Sequence, residues 1–287
     1  MGKRILAMLL FAAVLGLSSV GLAVDAGHER VTLGADLTLE QRAAIYKDFS
    51  LEEGRVKELT VTNKEERAYL ERLVPDKKIG SVALSCVYIK TLEKDAGLFI
   101  TSNNINWCTN EMYKNALSTA GIVDAQVKIS APFPVSGTAA LTGLYKAYED
   151  ITGEKLSDLA KSAATEEIIV TGDLAQMLGS VDASALVNEL KLILDQTAKM
   201  SDDELKKEIR SIAKELNIAL TEGQIEQLVG LCRTLEKLDP QALKERVQSL
   251  TKTLQSMGKF ERFISDAFTN IKKFFGAVGE FFLKLFK

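Results

Sequence analysis

From about residue 154 to residue 257, apolar residues recur at helical spacing, and the breaks between the periodic segments carry helix start signals. No other feature limits the fold of this chain as strongly. Ser201 with Glu204, and Thr221 with Gln224, read as capping boxes, in which two side chains satisfy free backbone N–H groups reciprocally. Asp239-Pro240 reads as an N-cap followed by proline at the first helical position. The expected helices cover about 156–167, with a break or short extended piece at 170–172, then 183–199, 202–216, 222–238 and 240–257. Connections of only a few residues make sequential helices antiparallel neighbours.

The preceding segment is of another kind. Thr38 with Gln41 predicts a capped helix to about Phe49, and 56–62 a short strand. Asn63 with Glu66 predicts a second capping box, on a helix that Pro75 ends. The stretch 79–90 is apolar on both faces and rich in Val, Ile and Tyr, the pattern of a central strand, and 97–101 is expected to pair with it. Thr109 opens a helix that Gly121 closes. Residues 123–131 alternate cleanly, with Val123, Ala125, Val127, Ile129 and Ala131 on one side, which predicts a half-buried strand. Pro132-Phe133-Pro134 is expected to break it, and Ser136 to cap a helix reaching about Gly153. The fold class is therefore α+β: an N-terminal mixed α/β domain with a small sheet over 36–153, a helical bundle over 154–258, and an amphipathic C-terminal helix over 259–287.

The block NINWCTNEMYKNALSTAGIVDAQVKISAPFPVSGTAALTGLYKAYE, from Asn104, resembles the signature of the YpuA-like family of secreted Firmicute proteins, domain of unknown function 1002. The resemblance extends upstream to VTNKEERAYL, from Val61, and downstream to about Asn217. It implies an exported protein and supplies no assigned activity.

The chain opens MGKR, followed by an apolar run and small residues at signal-peptidase spacing. This order predicts a signal peptide over 1–23, with the cut after Ala23 or after Ala26. Removing Lys3 and Arg4 with the leader takes the formal charge from −3 to −5. A mildly acidic body of about 260 residues offers no basic stripe to neutralise phosphates, so nucleic acid is not an expected partner.

His28 is the only histidine, and it stands beside the cleavage site in what reads as a loose terminus. Ser-His-Asp and Cys-His nucleophiles and imidazole-liganded metal sites all require a histidine in the folded body. No metal, no cofactor and no catalytic residue is expected. The three cysteines, Cys86, Cys108 and Cys232, form neither a zinc pattern nor a disulfide scaffold. An antiparallel pairing of the two strands near Cys86 and Cys108 would bring that pair within disulfide reach.

Four candidate sites remain, each with a plainer alternative. The turn Ser136-Gly137-Thr138 joins strand to helix, where free N–H groups and the helix dipole hold anions, and glycine admits a ligand to the backbone. The alternative is an ordinary cap. Ser211-Ile212-Ala213-Lys214 and Ser249-Leu250-Thr251-Lys252 fit SxxK but lie inside predicted helices, without the partner motifs of penicillin-recognising enzymes. Asn63, Glu65, Glu66, Asn103, Asn104, Asn106 and Asn110 form an amide-rich, acidic set beside Trp107 and Tyr113; they line a polar cleft or make turns and core.

The fourth candidate is 259–287, which holds eight of the twelve phenylalanines and carries +3. Phe263, Phe274, Phe275, Phe281 and Phe282 on an apolar stripe, with Lys272 and Lys273 beside it, fit a helix lying in a membrane surface or packed on a partner protein. These readings favour a non-catalytic binding or cell-envelope protein. The competing reading is an extracytoplasmic ligand-binding or hydrolytic domain centred on Ser136.

Overall fold

A computed structural model describes residues 26–256. The signal-peptide segment and the Phe-rich segment 259–287, with Phe263, Lys272, Lys273, Phe274, Phe275, Phe281 and Phe282, lie outside the described residues. The described chain is α+β. Its strands are β1 (Glu29–Gly34), β2 (Glu58–Val61), β3 (Cys86–Thr91), β4 (Leu98–Ile105) and β5 (Ala125–Val135). The helices of the first part are α1 (Leu39–Phe49), α2 (Asn63–Leu70), α3 (Asp76–Ile79), α4 (Asn110–Ala120) and α5 (Thr138–Thr152). Those of the second are α6 (Asp158–Leu178), α7 (Ser180–Leu192), α8 (Leu194–Thr197), α9 (Asp202–Glu215), α10 (Glu222–Leu235) and α11 (Pro240–Ser256).

The strands form one mixed sheet in the order β2-β1-β3-β5-β4. β1 runs parallel to β2 and antiparallel to β3; β3 is antiparallel to β5, and β5 is parallel to β4. Strand alternation assigns the two faces. Val31, Leu33, Cys86 and Tyr88 point to α1, where Ile45, Tyr46 and Phe49 cover them. Val87, Ile89, Val127 and Ile129 point the other way, into a core built with Met112, Tyr113 and Leu117 of α4 and Leu141, Leu144 and Tyr145 of α5. Each such fully buried aliphatic side chain contributes roughly 1.5–3 kcal/mol. α5 comes close to the sheet at Gly143, where a Cβ would stand 3.1 Å from the Thr32 methyl.

The helical part shares this core. Ala164 and Ile168 of α6 and Leu250 of α11 pack into the α4/α5 cluster. A second cluster, around Leu186, Val187, Leu190, Leu205, Ile209, Leu228 and Leu235, holds α7, α9 and α10 together. The capping boxes at Thr38/Gln41, Ser201/Glu204 and Thr221/Gln224 form as the sequence predicts.

Several elements depart from the sequence pattern. β1 lies upstream of residue 36, and its neighbourhood ties down the terminus: the His28 N–H donates to Thr91 Oγ1, and the His28 carbonyl accepts from Thr91 N. The second capping box is Thr62 with Glu65, one residue earlier than Asn63 with Glu66, which frees Glu66 to turn inward. The stretch 79–90 becomes a strand only from Cys86; before it, Pro75 caps the short α3. β4 pairs with β5 in parallel, and no β3–β4 ladder forms.

Pro132 and Pro134 do not end β5. Its ladder with β3 stops at Ser130, so the missing proline N–H groups fall where β5 has only β4 beside it, at a register shift between Asn103 and Ile105. Residues 170–172 continue α6 unbroken, because Gly172 fits against Met112 and Trp107 and burial there outweighs weak helix propensity. The expected 183–199 helix divides at Ile193 into α7 and α8.

Candidate functional site

The turn into α5 brings the polar groups of four segments together. Gly137 is the N-cap, at φ +96°, in the left-handed region that glycine adopts without strain. Ser136 does not cap the helix. Its hydroxyl donates to the Lys78 carbonyl at 2.6 Å and lies 3.0 Å from Thr138 Oγ1. The Ala140 N–H, in the first turn of α5, is taken by Ser85 Oγ at 2.8 Å. The Ala83 N–H donates to Asp36 at 2.7 Å, so the whole segment from α3 to β3 is pinned beside the start of α5.

The approach to the Gly137 backbone is occupied by the protein itself. Tyr113 Oη donates to the Gly137 carbonyl at 2.6 Å. A Cβ at Gly137 would stand 2.3 Å from that hydroxyl and 2.7 Å from Ile105 Cγ2. The glycine therefore permits a close internal contact, where the sequence suggested a contact to ligand. Trp107 and Tyr113 are both buried in the core, with Lys78 Nζ 5.0 Å from the centre of the Trp107 ring. They fill space rather than line an open stacking surface.

One side chain at this turn stands apart. Glu66, on α2, is 1% exposed. It accepts from Asn63 Nδ2 at 3.3 Å and from the Thr138 hydroxyl, while its Oε1 has no partner. Burial, with Asp36 adding like-charge repulsion, pushes its carboxyl up to about 7, against the pull of the Thr138 and Asn63 hydrogen bonds and of Arg67. Near neutral pH this acid is poised between its two forms. A buried carboxyl of that kind can hold or release a proton and can offer either a donor or an acceptor.

Of the other amides, Asn110 Oδ1 is buried without a partner, and two are engaged separately. Asn103 donates to Asp48, and Asn104 donates to the Ala131 carbonyl at the sheet edge. These amides thus serve separate contacts between segments distant in sequence. Both SxxK pairs lie inside helices, Ser211 in α9 and Ser249 in α11. Cys86, Cys108 and Cys232 are free and buried, and burial pushes each thiol up to about 12. The bridge between Cys86 and Cys108 is not made. Cys86 belongs to the cluster under α1, and Cys108 to the cluster on the opposite face of the sheet. Their expected approach rested on a β3–β4 pairing that the fold does not contain.

The sequence reading missed a second buried polar cluster, at the seam of α4, α6 and α7. Lys191 and Glu167, 0% and 1% exposed at their side chains, are joined at 2.9 Å. Lys191 also donates to the Asn115 carbonyl, Thr119 donates to Glu167, and Asn188 donates to the Asn115 side chain. A signal was present. Lys191 lies four residues after Val187 and Glu167 four after Ala163, so both charges sit on the apolar stripes of their helices. Among the described residues no His/Cys/Asp/Glu group has a metal-holding arrangement, and no helix is long and apolar enough to cross a membrane.

No solved structure matches this chain. It is 40% identical over 244 residues to an uncharacterized protein, YpuA, of Bacillus subtilis (strain 168), covering 83% of each chain. The profile described as "Protein of unknown function (DUF1002)" matches residues 33–256, which take in the sheet, the Ser136 turn, Glu66 and the α4/α6/α7 seam, and the chain belongs to that family.

Proposed function

We propose that this is an exported protein that acts by binding at the cell envelope rather than by catalysis. The closed turn at Gly137 carries the reading. The one strand-to-helix junction that the sequence nominates for a small anion is filled by Tyr113 and Ile105, and its hydroxyls are spent on the Lys78 carbonyl. The thiols, pushed up to about 12, are poor nucleophiles at neutral pH, which supports the same reading.

The binding surface is assigned to 259–287. Phe263, Phe274, Phe275, Phe281 and Phe282 would enter the acyl boundary of a membrane, with Lys272 and Lys273 near the headgroups. The segment's +3, against −8 for residues 24–258, favours an anionic lipid surface over a second acidic copy of the chain.

Co-sedimentation of the chain beginning at Val24 with anionic vesicles, with and without 259–287, tests the assignment. Binding at low salt that needs the segment and weakens as salt rises is the expected result. A full-length chain that stays in the supernatant overturns it. The reading of Ser136 as a ligand site retains one supporting observation, the unpartnered oxygen of Glu66. Millimolar phosphate or sulfate raising the melting temperature would favour that reading.

A further inference from the structure

We propose that Glu66 is a proton-dependent latch: as a neutral acid it holds α2 and the segment running on to Ser85 against the first turn of α5, and as a carboxylate it lets them loosen. The geometry sets this up in three ways. First, Glu66 is the buried polar group by which α2 meets α5, and Leu70, one turn on, is the apolar one. The contact is small, so a change in one group is a large part of it. Second, only two neutral donors reach the carboxyl, and Oε1 has none. The Thr138 hydroxyl has a single proton and competing acceptors in Ser136 Oγ and the Lys78 carbonyl. A charged carboxylate at this depth needs more than that, whereas a neutral acid does not.

Third, the cations that could neutralise Glu66 are committed elsewhere. Arg67, next on the same helix, donates to the Gly80 carbonyl at 2.7 Å, to Asp76 at 3.0 Å and to Asn63 at 3.2 Å. Lys146 of α5 is bound to Glu65 at 2.6 Å and to the Thr60 carbonyl at 2.7 Å. On α3, Lys78 lies over the Trp107 ring, and Lys77 is exposed. Asp36, from the β1–α1 turn, adds repulsion, and Cys108 and Tyr113, on the α4 side, bring no positive charge. Deprotonation therefore leaves an uncompensated buried charge. Its relief is for α2 to move out, drawing on the segment that hangs from α5 by the Lys78 carbonyl and Ser85.

Amide hydrogen exchange on the full chain at pH 5.5 and pH 8, corrected for intrinsic rates, tests the latch. Peptides spanning residues 63–85 should open on the order of 30-fold more at pH 8 than at pH 5.5, while peptides from α9 and α10 keep their protection. Glu66→Gln, which keeps the shape and cannot ionise, should hold those peptides closed at both pH values. Equal protection of 63–85 in the wild type at the two pH values overturns the proposal. So does a pH dependence that survives Glu66→Gln. Asp36→Asn supplies a second variant: with a like charge gone the Glu66 carboxylate forms at lower pH and is less strained, so the loosening should be centred at lower pH and be smaller, and loosening centred at higher pH or left in place overturns the proposal.

Discussion

Glu66 and Glu167 are each 1% exposed, yet the fold treats them in opposite ways. Glu167 has a cation 2.9 Å away, and that cation has further partners in the Asn115 carbonyl and the seam between three helices. Glu66 has two neutral donors, no committed cation and one oxygen without any partner. Depth of burial alone does not decide what a carboxyl does. Partnered, it keys one layer of helices onto another; unpartnered, it is driven toward its neutral form and becomes sensitive to pH. The difference also divides the molecule. The α4/α6/α7 seam is fixed, whereas the α2–α5 contact responds to its surroundings.

The largest expected effect lies at the fixed site. Lys191→Met should cost about 3–5 kcal/mol, because it leaves Glu167 in the core without its cation. Combining it with Glu167→Leu should recover most of that loss, since two apolar groups need no partner. Urea unfolding of the two single variants and the double variant measures both. If the double variant is as unstable as the sum of the singles, the pair is not acting as a pair.

Gly137→Val comes next. It forces a branched side chain into a left-handed backbone and against Tyr113 and Ile105, at a cost of roughly 2–5 kcal/mol. A stable Gly137→Val variant would mean that the turn is more open than its contacts imply.

Glu66→Gln reverses the usual direction. An acid whose folded-state value is raised contributes stability that is intact below its unfolded value and is lost as pH rises toward the folded one, here between about 4.5 and about 7. The variant should therefore match the wild type near pH 4.5 and exceed it at pH 8 by up to about 3 kcal/mol. Glu189, beside Glu215, is also pushed up to about 7 by burial, so the wild-type-minus-variant difference is the quantity to follow. Ser136→Ala, which deletes one hydrogen bond to the Lys78 carbonyl, has the smallest effect, about 1 kcal/mol.

Much of the architecture was legible because local signals and burial agree. The Thr38, Ser201 and Thr221 boxes and the Gly121 stop are written in a few adjacent residues. Topology was not legible. Nothing between Leu98 and Ile105 says that the strand prefers β5 over β3, and that choice alone removed the cysteine bridge. Ser136, Gly137 and Thr138 were found as a cluster, but the choice between a ligand turn and a packed one was not legible, since whether a glycine admits a ligand or a tyrosine depends on α4, which is distant in sequence. Glu66 was misread through a one-residue error in a cap: assigned to the box, it would face solvent, and released from it by Glu65, it faces the core.

The contrast between the two glutamates is tested most directly by following side-chain carboxyl resonances through a pH titration of the wild type and of Glu66→Gln. The account predicts one carboxyl step centred near pH 7 that is present in the wild type and absent in the variant. A wild type whose resonances include no such step, or a step that persists unchanged in Glu66→Gln, would contradict it.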